Sequence, residues 1–233
     1  MFSAPTAIRV LKKQDPDFLK RHDLSSLRHL FLAGEPLDEP TAKWIGDAIG
    51  KPIIDNYWQT ETGWPILSLA RGIDASQQTK LGSPGIPMLG YDVKLLNEQT
   101  GEELTAPHQK GVLTIEGPLP PGCMQTVWGD DQRFINTYWK SFGDRLIYNT
   151  FDWAIKDEDG YYFILGRTDD VINVAGHRLG TREIEEAISR HPAVTEVAVV
   201  GVADTLKGQV AKAFVVTNGV AQLDSDEARH QLE

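Results

Sequence analysis

Nine consecutive residues, Asp55-Asn56-Tyr57-Trp58-Gln59-Thr60-Glu61-Thr62-Gly63, bring aromatic rings, hydroxyls, amides and two carboxylates into one short stretch. A hydroxyl such as that of Thr60 can donate to a phosphate oxygen. An adjacent carboxylate such as Glu61 suits Mg2+, a hard cation that prefers oxygen ligands. On composition alone the same stretch also suits a polar turn over buried aromatics. A second cluster begins at Asp152 and continues through Gly166-Arg167-Thr168-Asp169-Asp170 to His177-Arg178. A carboxylate at a strand end can accept both hydroxyls of a ribose, and two arginines can neutralise a phosphate or pyrophosphate. A charged hairpin with solvated ion pairs is the plainer reading of those residues. A third cluster is Gly34-Glu35-Pro36, where glycine lets the backbone lie close to a flat ligand, although an ordinary strand-to-helix turn uses the same residue types.

The elements that must position these groups can be read from periodicity. Residues 28–33 (RHLFLA) and 52–58 (PIIDNYW) read as strands, and Asp38 to Ile49 fits a helix with Asp38 as N-cap and Pro40 in its first turn. This βαβ pattern places Gly34 and Asp55 at strand C-terminal ends, where open α/β sheets bind ligands. Runs at 91–97 and 111–116 read as antiparallel strands, with 81–90 as a Gly/Pro connection before them. Apolar residues at 134, 135, 138, 139 and 142 predict an amphipathic helix from Asp130 to Phe142, followed by β-type runs at 146–153, 161–165 and 171–174. Farther on, Thr181 is expected to cap a helix that ends at His191-Pro192, with strands at 195–202 and 209–216 after it and a polar tail over 224–233.

The 233 residues allow one large domain or a domain and a half, with a composition of 41% hydrophobic and 24% charged residues that suits a globular protein. The net charge of −10 argues against a general nucleic-acid or acidic-membrane binder, while leaving room for a local basic pocket. A single cysteine, Cys123, can form neither an internal disulfide nor a cysteine metal cluster, and no histidine lies near it in sequence. No apolar stretch reaches membrane-span length and the first residues lack a leader pattern, so a cytoplasmic protein with no membrane partner is expected.

Taken together, the stretches APTAIR (4–9), GEP (34–36), YWQTETG (57–63), GRTDDVINVAGHR (166–178) and EIEEAISRHPAVTEVAVVG (183–201) resemble the AMP-forming acyl-CoA synthetases of the adenylate-forming superfamily. Among these the short-chain acetyl- and propionyl-CoA synthetases are most similar, and YNTFD (148–152) with FILGRTDDVINVAGHRLGTREIEE (163–186) looks more like the propionyl members. The resemblance implies an α/β chain: the C-terminal part of the large adenylate-forming lobe over 1–168, a sheet with helices plus a β-rich subdomain, then an incomplete small α+β lobe over 169–233. It implies ATP, Mg2+, CoA and a short-chain carboxylate as the small molecules handled. Residue by residue, Gly34, Glu35 and Pro36 would border the adenine, with Asp55, Asn56, Tyr57, Trp58 and Gln59 around the nucleotide. Thr60 would bond the α-phosphate, Glu61 would carry Mg2+, and Arg178 would join them at the reacting phosphates. Asp152, assisted by Arg167, would hold the ribose. Asp169 matches the hinge between the two half-reactions, and Ala175 with Gly176 match the pantetheine channel. A second, structural Mg2+ is implied at Ser189, His191 and Val194. Trp58 and Ala33 match the acyl pocket; relatives specific for acetate carry a bulkier Val at the position of Ala33, so propionate is expected to be preferred, with acetate also accepted.

The family's Gly-rich phosphate loop is not matched, since its nearest lookalike, Lys80-Leu81-Gly82-Ser83-Pro84-Gly85, is followed by Pro87 rather than a helix. The family's catalytic lysine has no counterpart here either. The chain is therefore expected to be a section of a longer ligase, inactive by itself. A non-catalytic nucleotide-binding fragment and an adenylation domain that loads a carrier protein are the alternatives.

Overall fold

Three short apolar segments, β1 (Phe2–Ser3), β2 (Leu30–Leu32) and β3 (Ile53–Asp55), pair in that order as a parallel sheet in a computed structural model of the chain. The described residues are 1–217 without Pro16, Pro36, Gly143, Asp169, Ala175, Gly176 and Pro192; for Ser141, Phe142, His177 and Arg178 only the backbone is described. Parallel strands require crossover connections, supplied here by α1 (Pro5–Lys12) between β1 and β2 and α2 (Glu39–Ile49) between β2 and β3. Both helices carry proline in the first turn, where no amide hydrogen is needed. Asp38 caps α2 by accepting from the Thr41 N–H at 2.8 Å, and Gly50 ends it in the left-handed region. The apolar sides of the two helices and the sheet meet in a core of Ile8, Leu30, Leu32, Leu37, Ala42, Ile45 and Ile53. The expected βαβ unit is present, and β1 with α1 extends it by one more strand and helix.

A β-rich part follows. β4 (Leu67–Ser68) pairs with β5 (Ile86–Pro87) inside the Gly/Pro connection. β6 (Asp92–Leu96) and β7 (Gly111–Glu116) are the expected antiparallel pair. Then come α3 (Asp131–Tyr138), β8 (Trp139–Phe142), β9 (Arg145–Lys156) and β10 (Tyr162–Arg167), giving a sheet ordered β10-β9-β7-β6 with β8 beside β9. Here the sequence reading needs correction: the helix expected over 130–142 stops at Tyr138. Trp139 takes extended backbone, and Trp139–Phe142 pairs with Arg145–Tyr148, so sheet pairing overrides the helical period of its apolar residues.

The pairing of β7 with β9 contains a bulge. Thr114 faces Asn149 and Leu113 faces Asp152, so Thr150 and Phe151 are extra residues. Phe151 sits at φ +61°, costly for a bulky side chain, and local bonds hold it there. The Asn149 side-chain oxygen accepts the Phe151 N–H at 2.9 Å, and Thr150 Oγ donates to the Leu113 carbonyl at 2.6 Å while accepting the Asp152 N–H at 3.2 Å.

The chain divides into two compact units, Met1–Ile164 and Leu165–Glu233. In the second, β11 (Val171–Val174), β12 (His177–Gly180), β13 (Val194–Asp204) and β14 (Gly208–Thr217) form an antiparallel sheet ordered β12-β11-β14-β13, and α4 (Thr181–Ser189) packs on β13. β12 was not anticipated. Thr181 is not the cap of α4: Gly180 holds that position, and the Thr181 hydroxyl instead donates to Asp170 at 3.1 Å, because the β11–β12 hairpin sets Gly180 opposite Val171. The tail at 224–233, the hinge position Asp169 and the helix-ending Pro192 lie outside the described residues. Among the described residues no helix is long and apolar enough to cross a membrane.

One backbone approach in the first unit is close enough to test. Gly85 has φ +107°, and a Cβ there would lie 2.5 Å from the Ser68 carbonyl oxygen. Gly85→Ala is expected to destabilise the fold by roughly 1–3 kcal/mol through backbone conformation, with the clash in addition. A thermal midpoint equal to wild type would contradict this close approach.

Candidate active site

The loops after β2 and β3 leave the sheet on its C-terminal side, the usual ligand side of a parallel sheet. Ala33 is buried and donates its N–H to the Ser3 carbonyl at 3.3 Å, which places it at the end of the β1–β2 ladder. Gly34 follows at φ +95°, with open space where a Cβ would be. The Glu35 carboxylate turns back onto α1, accepting the Thr6 N–H at 3.1 Å and an Arg9 N–H at 2.7 Å, while Arg9 Nε donates to Asp38 at 3.1 Å. Burial would raise both carboxyls, but for Glu35 the bonds from Thr6 and Arg9, and for Asp38 those from Thr41 and Arg9, outweigh it and hold them below their usual range. Pro36 lies outside the described residues.

Along the loop after β3, Asp55 accepts the Asn56 N–H at 2.9 Å and borders a recess of about 280 Å3 with Leu37, Ala42 and Ser83. Asn56 is buried; its amide donates to the Leu32 and Ile54 carbonyls at 3.0 and 3.1 Å and its oxygen accepts from the Ser68 hydroxyl at 2.6 Å. Those bonds lock the end of β3 to β2 and β4. Trp58 is 38% exposed, with its ring 6.0 Å from that of Phe2 on β1, a neighbour that the sequence reading missed. Thr60 is exposed at the start of a single 3-10 turn, Thr60–Thr62.

Asp152, next to the bulge, is only 7% exposed. Its Oδ2 accepts from the Tyr57 hydroxyl and, at 3.1 Å, from Gln59 Nε2, which also donates to the Thr150 carbonyl at 2.5 Å. The structure thus brings together three residues from the two sequence clusters. Burial, then the Asp152 carboxylate, pushes the Tyr57 phenol well above its usual range, so it stays a donor. Three more tyrosines hold the loop, and sequence reading missed all of them because they look like core aromatics. Tyr148 donates to Gln59 Oε1 at 3.2 Å, Tyr138 to Glu61 Oε1 at 2.7 Å, and Tyr91 to the Thr62 carbonyl at 3.2 Å. Cys123 is buried with its thiol 3.5 Å from the same Thr62 carbonyl, a packing position.

Among the described residues no group of three or more His, Cys, Asp or Glu side chains is arranged to hold a metal. Glu61 beside the Thr60 hydroxyl fits a different case, Mg2+ that keeps its waters and arrives on a polyphosphate, for which one protein carboxylate suffices. At the end of α4, Ser189 Oγ donates to the Glu186 carbonyl, and His191 accepts the Ala193 N–H on Nδ1 and the Val194 N–H on its carbonyl, bonds that close the turn. Lys80, in the phosphate-loop lookalike, is paired with Asp157 and Asp159. Arg167 is exposed at the end of β10, and Arg178 lies on β12 opposite Asn173 with its side chain undescribed. Ala175 and Gly176 lie outside the described residues.

A family model described as AMP-binding enzyme matches residues 1–128, and one described as AMP-binding enzyme C-terminal domain matches 183–233. The chain belongs to the AMP-binding enzymes. Within that family it is 64% identical over 233 residues to propionate–CoA ligase of Escherichia coli, covering 100% of this chain and 37% of that protein. It is 44% identical over 219 residues to acetyl-coenzyme A synthetase 1 of Saccharomyces cerevisiae, covering 92% of this chain and 30% of the relative. A crystal structure of the anthranilate CoA ligase AuaEII in complex with anthranoyl-AMP matches with a TM-score of 0.78 at 30% identity, covering 99% of this chain and 41% of that one. The chain thus spans little more than a third of the length of the first of these relatives. The α/β architecture expected from the sequence is the one found.

The Arg9 cluster makes a pH prediction. Glu35 and Asp38 have folded pKa values below their ordinary 4.5 and 3.8. Their stabilising contribution is therefore complete above those ordinary values and is lost as pH falls through the lower folded ones. Arg9→Met is expected to lower the thermal midpoint at pH 7, with the gap to wild type narrowing as both are acidified below 3.8. A gap independent of pH would contradict the ionic role of Arg9.

Proposed function

We propose that the chain is part of an AMP-forming carboxylate–CoA ligase that activates short-chain acids, propionate in preference to acetate. The observation that carries this reading is the convergence of Tyr57, Gln59 and the buried Asp152 beside the turn bearing Thr60 and Glu61. That set pairs a ribose-type acceptor with phosphate-facing groups. In the first half-reaction a carboxylate oxygen attacks the ATP α-phosphorus, an O–P bond forms, and the bond to pyrophosphate breaks. In the second, the CoA sulfur attacks the acyl carbonyl, a C–S bond forms, and AMP leaves. Asp152 orients the ribose, the Thr60 hydroxyl donates to an α-phosphate oxygen, and the backbone at Gly34 borders the adenine with no Cβ in the way. Asn56 acts from behind by fixing the end of β3. Glu61 would hold Mg2+, which supplies charge neutralisation at the phosphate oxygens. Arg167 would assist Asp152 at the ribose, Arg178 would face the phosphates, Asp169 would be the hinge, and Ala175 with Gly176 would line the CoA channel. The single buried cysteine, which forms no disulfide, suits a reducing compartment such as the cytoplasm.

The substrate preference is supported by the higher identity to propionate–CoA ligase than to acetyl-coenzyme A synthetase 1. It is supported physically by the small size of the buried Ala33, which with Trp58 would bound the acyl pocket. In the full-length protein Glu61→Ala is expected to lower carboxylate-dependent pyrophosphate exchange by roughly 100-fold, and exchange at the wild-type rate would sink the assignment of Glu61. Ala33→Val should move kcat/KM toward acetate by roughly 10-fold, since one methylene is worth ~1–3 kcal/mol. An unchanged propionate-to-acetate ratio would show that Ala33 does not set acid length.

A further inference from the structure

Glu61 is held at its main chain and at its side chain. Its carbonyl accepts the Met124 N–H at 2.6 Å, and its Oε1 accepts the Tyr138 hydroxyl at 2.7 Å. Among the described residues Oε2 makes no hydrogen bond. Tyr138 is the last residue of α3, and its ring lies 5.5 Å from that of Tyr148 with only 3° between the planes. Phe134 and Phe151 flank Tyr138, with centroids at 5.7 and 6.1 Å, and Trp139 meets Tyr148 edge-on at 5.7 Å. Tyr148 is 1% exposed, so the stack is anchored in the core. The two stacked phenols donate to different residues of one turn, Tyr148 to its N-cap Gln59 and Tyr138 to its middle residue Glu61.

We propose that Tyr138 is a positioning residue for the metal-facing carboxylate, fixing the Glu61 rotamer so that Oε2 meets the cation, while Tyr148 separately orients Gln59 toward Asp152. The proposal rests on the nucleotide reading above. A carboxylate that ligates a metal works best when its other oxygen is hydrogen-bonded, and loss of such an outer partner weakens metal affinity by roughly 10–100-fold. Without the phenol, Glu61 regains side-chain freedom that must be lost again when the cation arrives. Gln59, in contrast, touches Asp152 and not Glu61, so loss of the Tyr148 hydroxyl acts at the ribose end.

The two roles separate in one experiment on the full-length protein. Tyr138→Phe and Tyr148→Phe keep both rings and remove one oxygen each, and thermal midpoints close to wild type establish that each variant folds. ATP affinity is measured by calorimetry across a Mg2+ titration, alongside pyrophosphate exchange with ATP and 2′-deoxy-ATP. Tyr138→Phe is expected to raise the Mg2+ concentration for half-maximal ATP binding by about tenfold, to recover wild-type kcat at saturating Mg2+, and to leave discrimination against 2′-deoxy-ATP unchanged. Tyr148→Phe is expected to weaken that discrimination with the Mg2+ requirement unchanged. A folded Tyr138→Phe protein with a wild-type Mg2+ requirement overturns the proposal, and so does a loss of kcat that saturating Mg2+ does not restore. If wild type shows no exchange yet its Mg2+-dependent ATP binding weakens in Tyr138→Phe, the proposal stands and the reaction assigned above fails.

Discussion

A carboxylate that is 7% exposed needs donors, and much of the first unit is arranged to give them to Asp152. The bulge in β9 turns the strand so that Asp152 meets Tyr57 and Gln59, and the Thr150 and Asn149 side chains hold that turn against the cost of Phe151 at positive φ. Bulges beside functional sites commonly re-aim one side chain. Here the re-aimed residue joins the β-rich sheet to the loop that leaves the parallel sheet.

The same loop is held by phenols. Burial pushes Tyr57, Tyr91 and Tyr148 above the usual tyrosine range, and Asp152, Cys123 and Glu61 respectively add to it. Protonated phenols near neutral pH remain dependable donors to a carboxylate, a carbonyl and an amide oxygen. These bonds tie down a turn whose first residue, Thr60, is exposed.

The residues proposed above from Ala33 to Asp152 fall within Met1–Ile164, and those from Arg167 to Val194 fall within Leu165–Glu233.

Periodicity and caps made much of the fold legible: α2 begins at Asp38 and ends at Gly50 because an acceptor and a left-handed residue stand at its ends. The strands 111–116 and 171–174 were equally plain, as short runs rich in β-branched residues. Trp139 was misread because its apolar spacing fits a helix and a hairpin equally, and only pairing with Tyr148 decides between them. The site divides along the same line. Residue types along the chain determined which groups could meet a nucleotide, since Asp55 to Gly63 and Asp152 carry their chemistry in their side chains. Tertiary structure alone decided that Glu35 turns back to Arg9, that Asn56 is consumed in tying β3 in place, and that Tyr138 and Tyr148 reach Glu61 and Gln59. Those contacts join residues far apart in sequence, so they exist only once the sheet and its bulge have brought the chain back on itself.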